Sequence, residues 1–90
     1  MEELLRFKAK GTIGVNIFIP PTYEFVFYKD KLVVYKKDKI VMEVNYEDIN
    51  EVAIVKNWQN NVLFNCKPHC FNIYAISDEM CKKIKEITKK

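Results

Sequence analysis

The sequence predicts a mainly β fold (α+β by count), in which seven antiparallel strands precede one C-terminal helix. Apolar and polar residues alternate with a period of two along most of the chain, as is typical of strands with one buried face. From Ser77 onward the period becomes that of an amphipathic helix. Because 90 residues cannot divide their apolar side chains between two cores, we expect a single domain over residues 1–90.

The first predicted strand spans residues 7–19. Its expected inward face comprises Phe7, Ala9, Ile13, Val15, Ile17 and Ile19, opposite Lys8, Lys10, Thr12 and Asn16. Gly11 and Gly14 interrupt this strand, and glycine within a strand usually marks a bulge or a bend. Pro20 and Pro21 end it, because proline cannot donate a ladder hydrogen bond.

Short charged or polar turns separate the remaining predicted strands. The alternation places these strands at residues 23–28, 32–36, 40–45, 51–56, 62–66 and 71–76. Ile49 is the expected inward anchor where residues 46–50 interrupt the pattern. A helix is predicted over residues 78–88, with Ser77 as its N-cap. Its apolar stripe is expected to comprise Met80, Ile84 and Ile87.

Two cysteines and the only histidine lie close together in the stretch NCKPHCFN, residues 65–72. We interpret this stretch as a hairpin whose turn spans residues 67–70, with Pro68 at a position that its fixed φ suits. A register slip of one residue would place polar side chains on the buried face. The predicted pairs are Cys66–Phe71, Phe64–Ile73 and Val62–Ala75.

Cys66, His69 and Cys70 are weak candidates for a metal or redox site. Zinc requires four converging ligands, whereas this register points Cys66 into the core and Cys70 into the turn or outward. Cys81 is the remaining candidate, and no second Cys-x-x-Cys arm accompanies the pair. We therefore expect no metal and no cofactor, with Cys66 serving as a small core residue.

The residue pattern gives little support for catalysis. His69 has no nucleophile or orienting carboxylate at a recognisable spacing, and Ser77 is better explained as a helix cap. Two glycines cannot build a phosphate-binding loop. We therefore predict a protein that is not an enzyme.

Charge and cysteine content indicate the compartment and the partners. Of the fifteen basic residues, only Arg6 is arginine, and arginine is the usual residue for reading phosphates and guanine edges. We therefore do not expect nucleic acid as a partner. The acidic start Met1-Glu2-Glu3 does not resemble a secretory signal, and three cysteines cannot all pair within the chain. Both observations favour a cytoplasmic protein with reduced thiols.

Candidate partner-binding residues lie in two polar turns. Trp58 could anchor a partner or enter a membrane interface, although the favoured interpretation is that it folds back over the open end of the sheet. Lys36, Lys37 and Lys39 belong to one turn, and further lysines belong to the preceding turn. Consecutive hairpin turns lie at opposite ends of a meander, so we do not expect all these lysines to form one patch.

Residues 29–57, KDKLVVYKKDKIVMEVNYEDINEVAIVKN, resemble the bacterial and GRAM-type members of the pleckstrin-homology superfold. The similarity lies in the "kLvvy" strand and in a V-x-Y-E-D-I-x-E-V passage. The closing stretch FNIYAISDEMCKKIKEI is similar to the last strand and capping helix of those domains. The residues that match the passage are Val44, Tyr46, Glu47, Asp48, Ile49, Glu51 and Val52.

The resemblance covers residues 13–88 and implies a split barrel of two nearly orthogonal sheets, capped by the C-terminal helix. It implies that Met80, Ile84 and Ile87 plug one end, and that the glycines of the first strand permit its bend. It does not extend to phosphoinositide binding, because the loop FIPPTYEF lacks lysine and arginine.

The sequence therefore predicts a small cytosolic interaction module that binds a protein partner or its own copy. Exposed strand edges and Trp58 are the expected contact points. The alternative is peripheral binding to an anionic membrane surface through Trp58 and the lysine-rich loops.

Overall fold

The computed structural model describes residues 2–13, 21–56, 59–66 and 70–90. In chain order, its elements are β1 (Glu3–Ile13), β2 (Thr22–Tyr28), β3 (Lys31–Lys36), β4 (Lys39–Asn45), a 3₁₀ turn (Tyr46–Asp48), β5 (Ile49–Lys56), β6 (Asn60–Cys66), β7 (Phe71–Ile76) and α1 (Asp78–Thr88). Within these ranges the predicted fold class, seven antiparallel strands followed by one helix, is confirmed.

The strands form one antiparallel sheet in the order β4-β3-β2-β1-β7-β6-β5. The central strand β1 pairs with β2 through Glu3–Lys10 and with β7 through Lys10–Ile13. It therefore joins a four-stranded half to a three-stranded half. The sheet is open between its two edge strands, β4 and β5, and is not closed into a barrel.

β1 begins four residues earlier than the predicted start at Phe7. The inward alternation already begins at Leu5, which packs against the core together with Phe7, Ala9 and Ile13. Residues 14–20 of the predicted strand lie outside the described residues, and so do Val15, Ile17 and Ile19 of its predicted inward face.

The core is rich in aromatic rings that pack against one another. Phe25, Phe27, Phe64 and Phe71 are each at most 1% exposed. The rings of Phe64 and Phe71 stack with centroids 4.3 Å apart. Burying a side chain of this size stabilises the fold by roughly 1.5–3 kcal/mol relative to leaving it exposed.

The β6–β7 hairpin has a register different from the predicted one. Phe64 lies opposite Phe71, and Val62 lies opposite Ile73, so the strands are displaced by two residues. A two-residue displacement keeps each side chain on its face, which is why the predicted inward positions Val62, Phe64, Phe71 and Ile73 are nevertheless buried. Cys66 instead lies opposite Ile49 of β5.

Ala75 was predicted on the buried face, and this prediction is wrong. Its side chain is exposed, and its backbone is left-handed, with φ 59°. The ladder between Asn60–Ile76 and Val62–Ile73 has one extra residue on β7. Ala75 therefore belongs to a β-bulge, which turns its side chain away from the core.

The 3₁₀ turn connects the two halves of the sheet at the end of β4. Tyr46 Oη donates to Tyr28 O at 2.5 Å, and Tyr46 N donates to Asp30 O at 3.0 Å. Burial raises the pKa of Tyr46, and the nearby charge of Asp30 raises it further. Ile49, the predicted inward anchor, is 1% exposed, so that prediction is confirmed.

Helix α1 spans the predicted residues and begins at the predicted cap. Ser77 Oγ accepts from Met80 N at 3.2 Å. The buried helix residues are Cys81, Ile84 and Thr88, with Ile87 partly buried against the core. The predicted stripe is therefore correct for Ile84 and Ile87 but wrong for Met80, whose position on the core-facing side Cys81 takes.

Among the described residues, no helix has the length and apolar character required to cross a membrane.

Candidate functional site

The two described metal candidates, Cys66 and Cys70, differ in burial. Cys66 is 3% exposed and belongs to the core cluster, as predicted, whereas Cys70 is exposed. The Cys70 thiol donates to Asn65 Oδ1 at 3.8 Å. Among the described residues, no three histidine, cysteine, aspartate or glutamate side chains form a group that could hold a metal ion. His69 lies outside those residues.

The chemistry of the buried thiols fits a packing role. Burial raises the pKa of Cys66, and the neighbouring Cys70 and Asp48 raise it further. Burial also raises the pKa of Cys81. Because the thiolate is the reactive form of cysteine, both side chains are held in their unreactive protonated state at neutral pH.

The structure describes the lysines among the predicted partner-binding residues but not Trp58. Trp58 lies outside the described residues, so its role as an anchor stays a prediction. Lys36, Lys37 and Lys39 are all exposed and lie together on the β3–β4 hairpin. Lys31 lies at the opposite end of β3, where its Nζ is 2.6 Å from Glu43 Oε1, so the two lysine-bearing turns do not form one patch.

The β3–β4 hairpin turns through a two-residue loop. Lys37 and Asp38 have φ values of 51° and 66° between the paired residues Lys36 and Lys39. Two successive positive φ values are typical of a type I′ turn, which fits the twist of the flanking strands. The tight turn therefore places three lysines at one corner of the sheet.

Beside this corner, β4 exposes two adjacent aliphatic side chains. Ile40 is 58% exposed and Val41 is 45% exposed. Ile40 pairs with Tyr35 and Met42 pairs with Val34, so Val41 is an extra residue in the ladder. Ile40 thus lies on the same side of the sheet as Tyr35, outside the core cluster, and the bulge leaves Val41 without a partner residue on β3. All six residues from 36 to 41 are exposed, and we refer to residues 36–41 as the basic edge segment.

The two edges of the sheet differ in how they are covered. On β5, Lys85 Nζ of the helix donates to Val52 O at 3.1 Å. Asp78 at the start of the helix also lies near the end of β5, with its Oδ1 3.7 Å from Lys56 Nζ. Among the hydrogen bonds of the described residues, none brings a side chain to the backbone of β4. In the described part of the chain, a helix side chain thus contacts the backbone of the β5 edge strand.

Further positive charge lies next to the basic edge segment. Lys8 and Lys37 line the same cleft of about 310 Å³, which Tyr35, Glu24 and Asp38 also line. Glu24 lies 3.1 Å from Arg6, and hydrogen bonds to Glu3 and Glu24 raise the pKa of Arg6. The Glu24 carboxylate is thus already paired, and lysine charge dominates this corner.

The sequence predicted the lysines of this site but not the exposed aliphatic pair. A partial signal was available, because adjacent Ile40 and Val41 cannot both face the core of an alternating strand. That β4 is an edge strand depends on the pairing order of the whole sheet, which the local pattern does not contain.

Comparison with known proteins adds no relative. No protein-family model matches the chain, and no curated protein matches it significantly.

Proposed function

We propose that this chain is a small non-enzymatic interaction module that binds a protein partner, or its own copy, along the edge of β4. The observation that carries the proposal is the exposure of Ile40 and Val41 on an edge strand whose backbone has an open side. An unpaired edge is a template for strand addition, and main-chain hydrogen bonds would supply the affinity.

The difference between the two edges supports this choice. Natural sheets protect their edges with lysines, bulges or covering helices. The β5 edge has such a cover in Lys85. The β4 edge has a bulge and flanking lysines, which limit indiscriminate pairing. It nevertheless exposes two aliphatic side chains, Ile40 and Val41. A surface of this kind suits selective rather than general strand addition.

A pleckstrin-homology-type fold and a cytoplasmic location belong to the same proposal. The seven antiparallel strands and a helix packed on the core are compatible with that fold. Since one fold serves many functions, the binding role depends on the β4 edge itself.

The basic edge segment also suits a second candidate function, peripheral membrane binding. Lysines near an anionic surface contribute about 1 kcal/mol each, and Ile40 could enter the interface. Co-sedimentation with phosphatidylserine vesicles, compared at low and physiological salt, tests this function. Binding that salt does not weaken, or no binding, argues against it.

The test of the main proposal compares three baits: the wild-type chain, Ile40→Lys and Val55→Lys. Val55 is a matched control because it is 42% exposed on the opposite edge strand. Proteins retained from the native cell are quantified by mass spectrometry, and self-association is measured by sedimentation. We expect Ile40→Lys alone to lose the bound protein. Equal retention by all three baits would reject the β4 edge as the binding site.

A further inference from the structure

We infer that the β4 edge accepts an acidic, extended peptide segment of a partner protein, with its carboxylates beside the β3–β4 turn. This inference rests on the proposed function and specifies the chemistry of the partner. It follows from the charge distribution along β4 and from the shape of its edge.

The basic edge segment carries three lysines and one aspartate, a formal charge of +2. Lys8 of β1, which lines the same cleft as Lys37, adds to this positive charge. The carboxylate of Glu24 is paired with Arg6. A strand laid beside this corner would gain from acidic side chains, because opposite charges across strands stabilise pairing and like charges oppose it.

The far end of β4 has no comparable excess of positive charge. Glu43 is already paired with Lys31 at 2.6 Å. The attraction is therefore concentrated at the turn end of the strand, so the acidic residues of the partner should cluster at one end of its segment. Between the ends, Ile40 and Val41 favour β-branched or aromatic residues on the added strand.

A second copy of this chain fits the edge less well. Its own β4 would present a single carboxylate, Glu43, which Lys31 already neutralises. Three lysines of each turn would approach the other copy without a matching cluster of acidic residues. A partner with adjacent acidic residues meets the charge of this corner directly.

The experiment selects random heptapeptides, displayed on phage, against the full wild-type chain. We expect enrichment of peptides in which aspartate or glutamate residues cluster at one end, next to β-branched residues. This enrichment should be lost on Ile40→Lys but not on Val55→Lys. Lys37→Glu combined with Lys39→Glu should weaken the selected peptide about tenfold and should favour basic peptides instead. Lys82→Glu combined with Lys83→Glu is the matched control, since it makes the same charge change on exposed helix residues.

The outcomes separate this inference from the proposed function. The inference of an acidic partner is wrong if the selected peptides are not acidic, or if the Lys37→Glu, Lys39→Glu variant keeps the wild-type preference. This holds even where Ile40→Lys still abolishes capture of a protein. Self-association through Ile40, or binding only to phosphatidylserine vesicles, would likewise overturn it. Acidic peptides that bind equally well to Ile40→Lys would contradict both the inference and the proposed edge.

Discussion

At the scale of single residues, the backbone of Ala75 is the clearest departure from local preference. Among the described residues, the other non-glycine positions with positive φ are Lys37, Asp38 and Lys89, which lie in a turn or at the end of the helix. Ala75 lies inside β7, where its N–H donates to Asn61 Oδ1 at 3.3 Å. The bulge imposes a conformation that glycine adopts more easily than alanine.

Ala75→Gly should therefore stabilise the protein. Relief of the left-handed strain outweighs the greater flexibility of glycine in the unfolded chain, for a net gain of roughly 0.5–1 kcal/mol. The measurement is the urea midpoint at unchanged m-value. Ala53→Gly, in the regular ladder of β5, is the control and should lose stability by about the same amount. A loss at position 75 would show that the bulge does not strain alanine.

At the scale of elements, the sequence predicted the existence and type of each strand better than its pairing. β7 and α1 have the predicted bounds, because Ser77 marks a sharp change of period. The β6–β7 register was wrong by two residues, since alternation fixes which face a residue occupies but not its partner. The stacking of Phe64 on Phe71, which a one-dimensional pattern does not reveal, accompanies the observed register.

The buried side of the helix also differs from the predicted apolar stripe. The spacing of four and three residues placed Met80, Ile84 and Ile87 on one predicted apolar stripe. In the structure, Cys81, Ile84 and Thr88 share the buried side, spaced three and four residues apart. The Thr88 hydroxyl donates to Ile84 O at 2.8 Å, which satisfies the hydroxyl and allows a polar residue to lie on that side.

Substitutions in α1 test this assignment. Ile84→Ala should destabilise the protein by about 2–5 kcal/mol, because it leaves a cavity at a fully buried position. Met80→Ala should cost less than about 1 kcal/mol, as expected for a residue outside the core cluster. Both are measured by thermal and urea unfolding. Equal losses for the two variants would restore the stripe predicted from the sequence.

At the scale of the whole molecule, Gly11 lies where β1 changes partners from β2 to β7. Its N–H donates to Pro21 O at 3.1 Å. A Cβ atom at this position would lie 2.6 Å from Asn72 O and 3.1 Å from Phe25 Cζ. The close approach of the two backbones therefore requires glycine. The sequence indicated a bend here, but not which strands it would bring together.

Gly11→Ala should weaken the junction between the two halves of the sheet. Relieving the clash requires backbone movement, which typically costs about 1–3 kcal/mol. Amide hydrogen exchange should show the largest loss of protection in the β1–β7 pairs, because those bonds lie at the clash. Unchanged exchange there, with full stability, would mean that the strands have more room than the structure shows.

The edge position of β4 is also a property of the whole molecule. Lys36, Lys37 and Lys39 are adjacent in sequence, so their proximity on one turn could be predicted. That the exposed Ile40 and Val41 lie on an edge strand depends on the pairing order of the whole sheet. The cover on β5 depends on Lys85, which lies 33 residues from its acceptor Val52. The local alternation of apolar and polar residues does not predict contacts between residues so far apart in sequence.

The central position of β1 has a consequence for how the protein folds. β2, β3 and β4 can assemble from neighbouring hairpins, and so can β5, β6 and β7. Joining them requires residues 62 positions apart, such as Thr12 and Tyr74, to meet. Closing so long a loop carries an entropic penalty that contacts near in sequence avoid. During synthesis on the ribosome, the first strand must therefore wait, with one side unpaired, until the seventh has emerged.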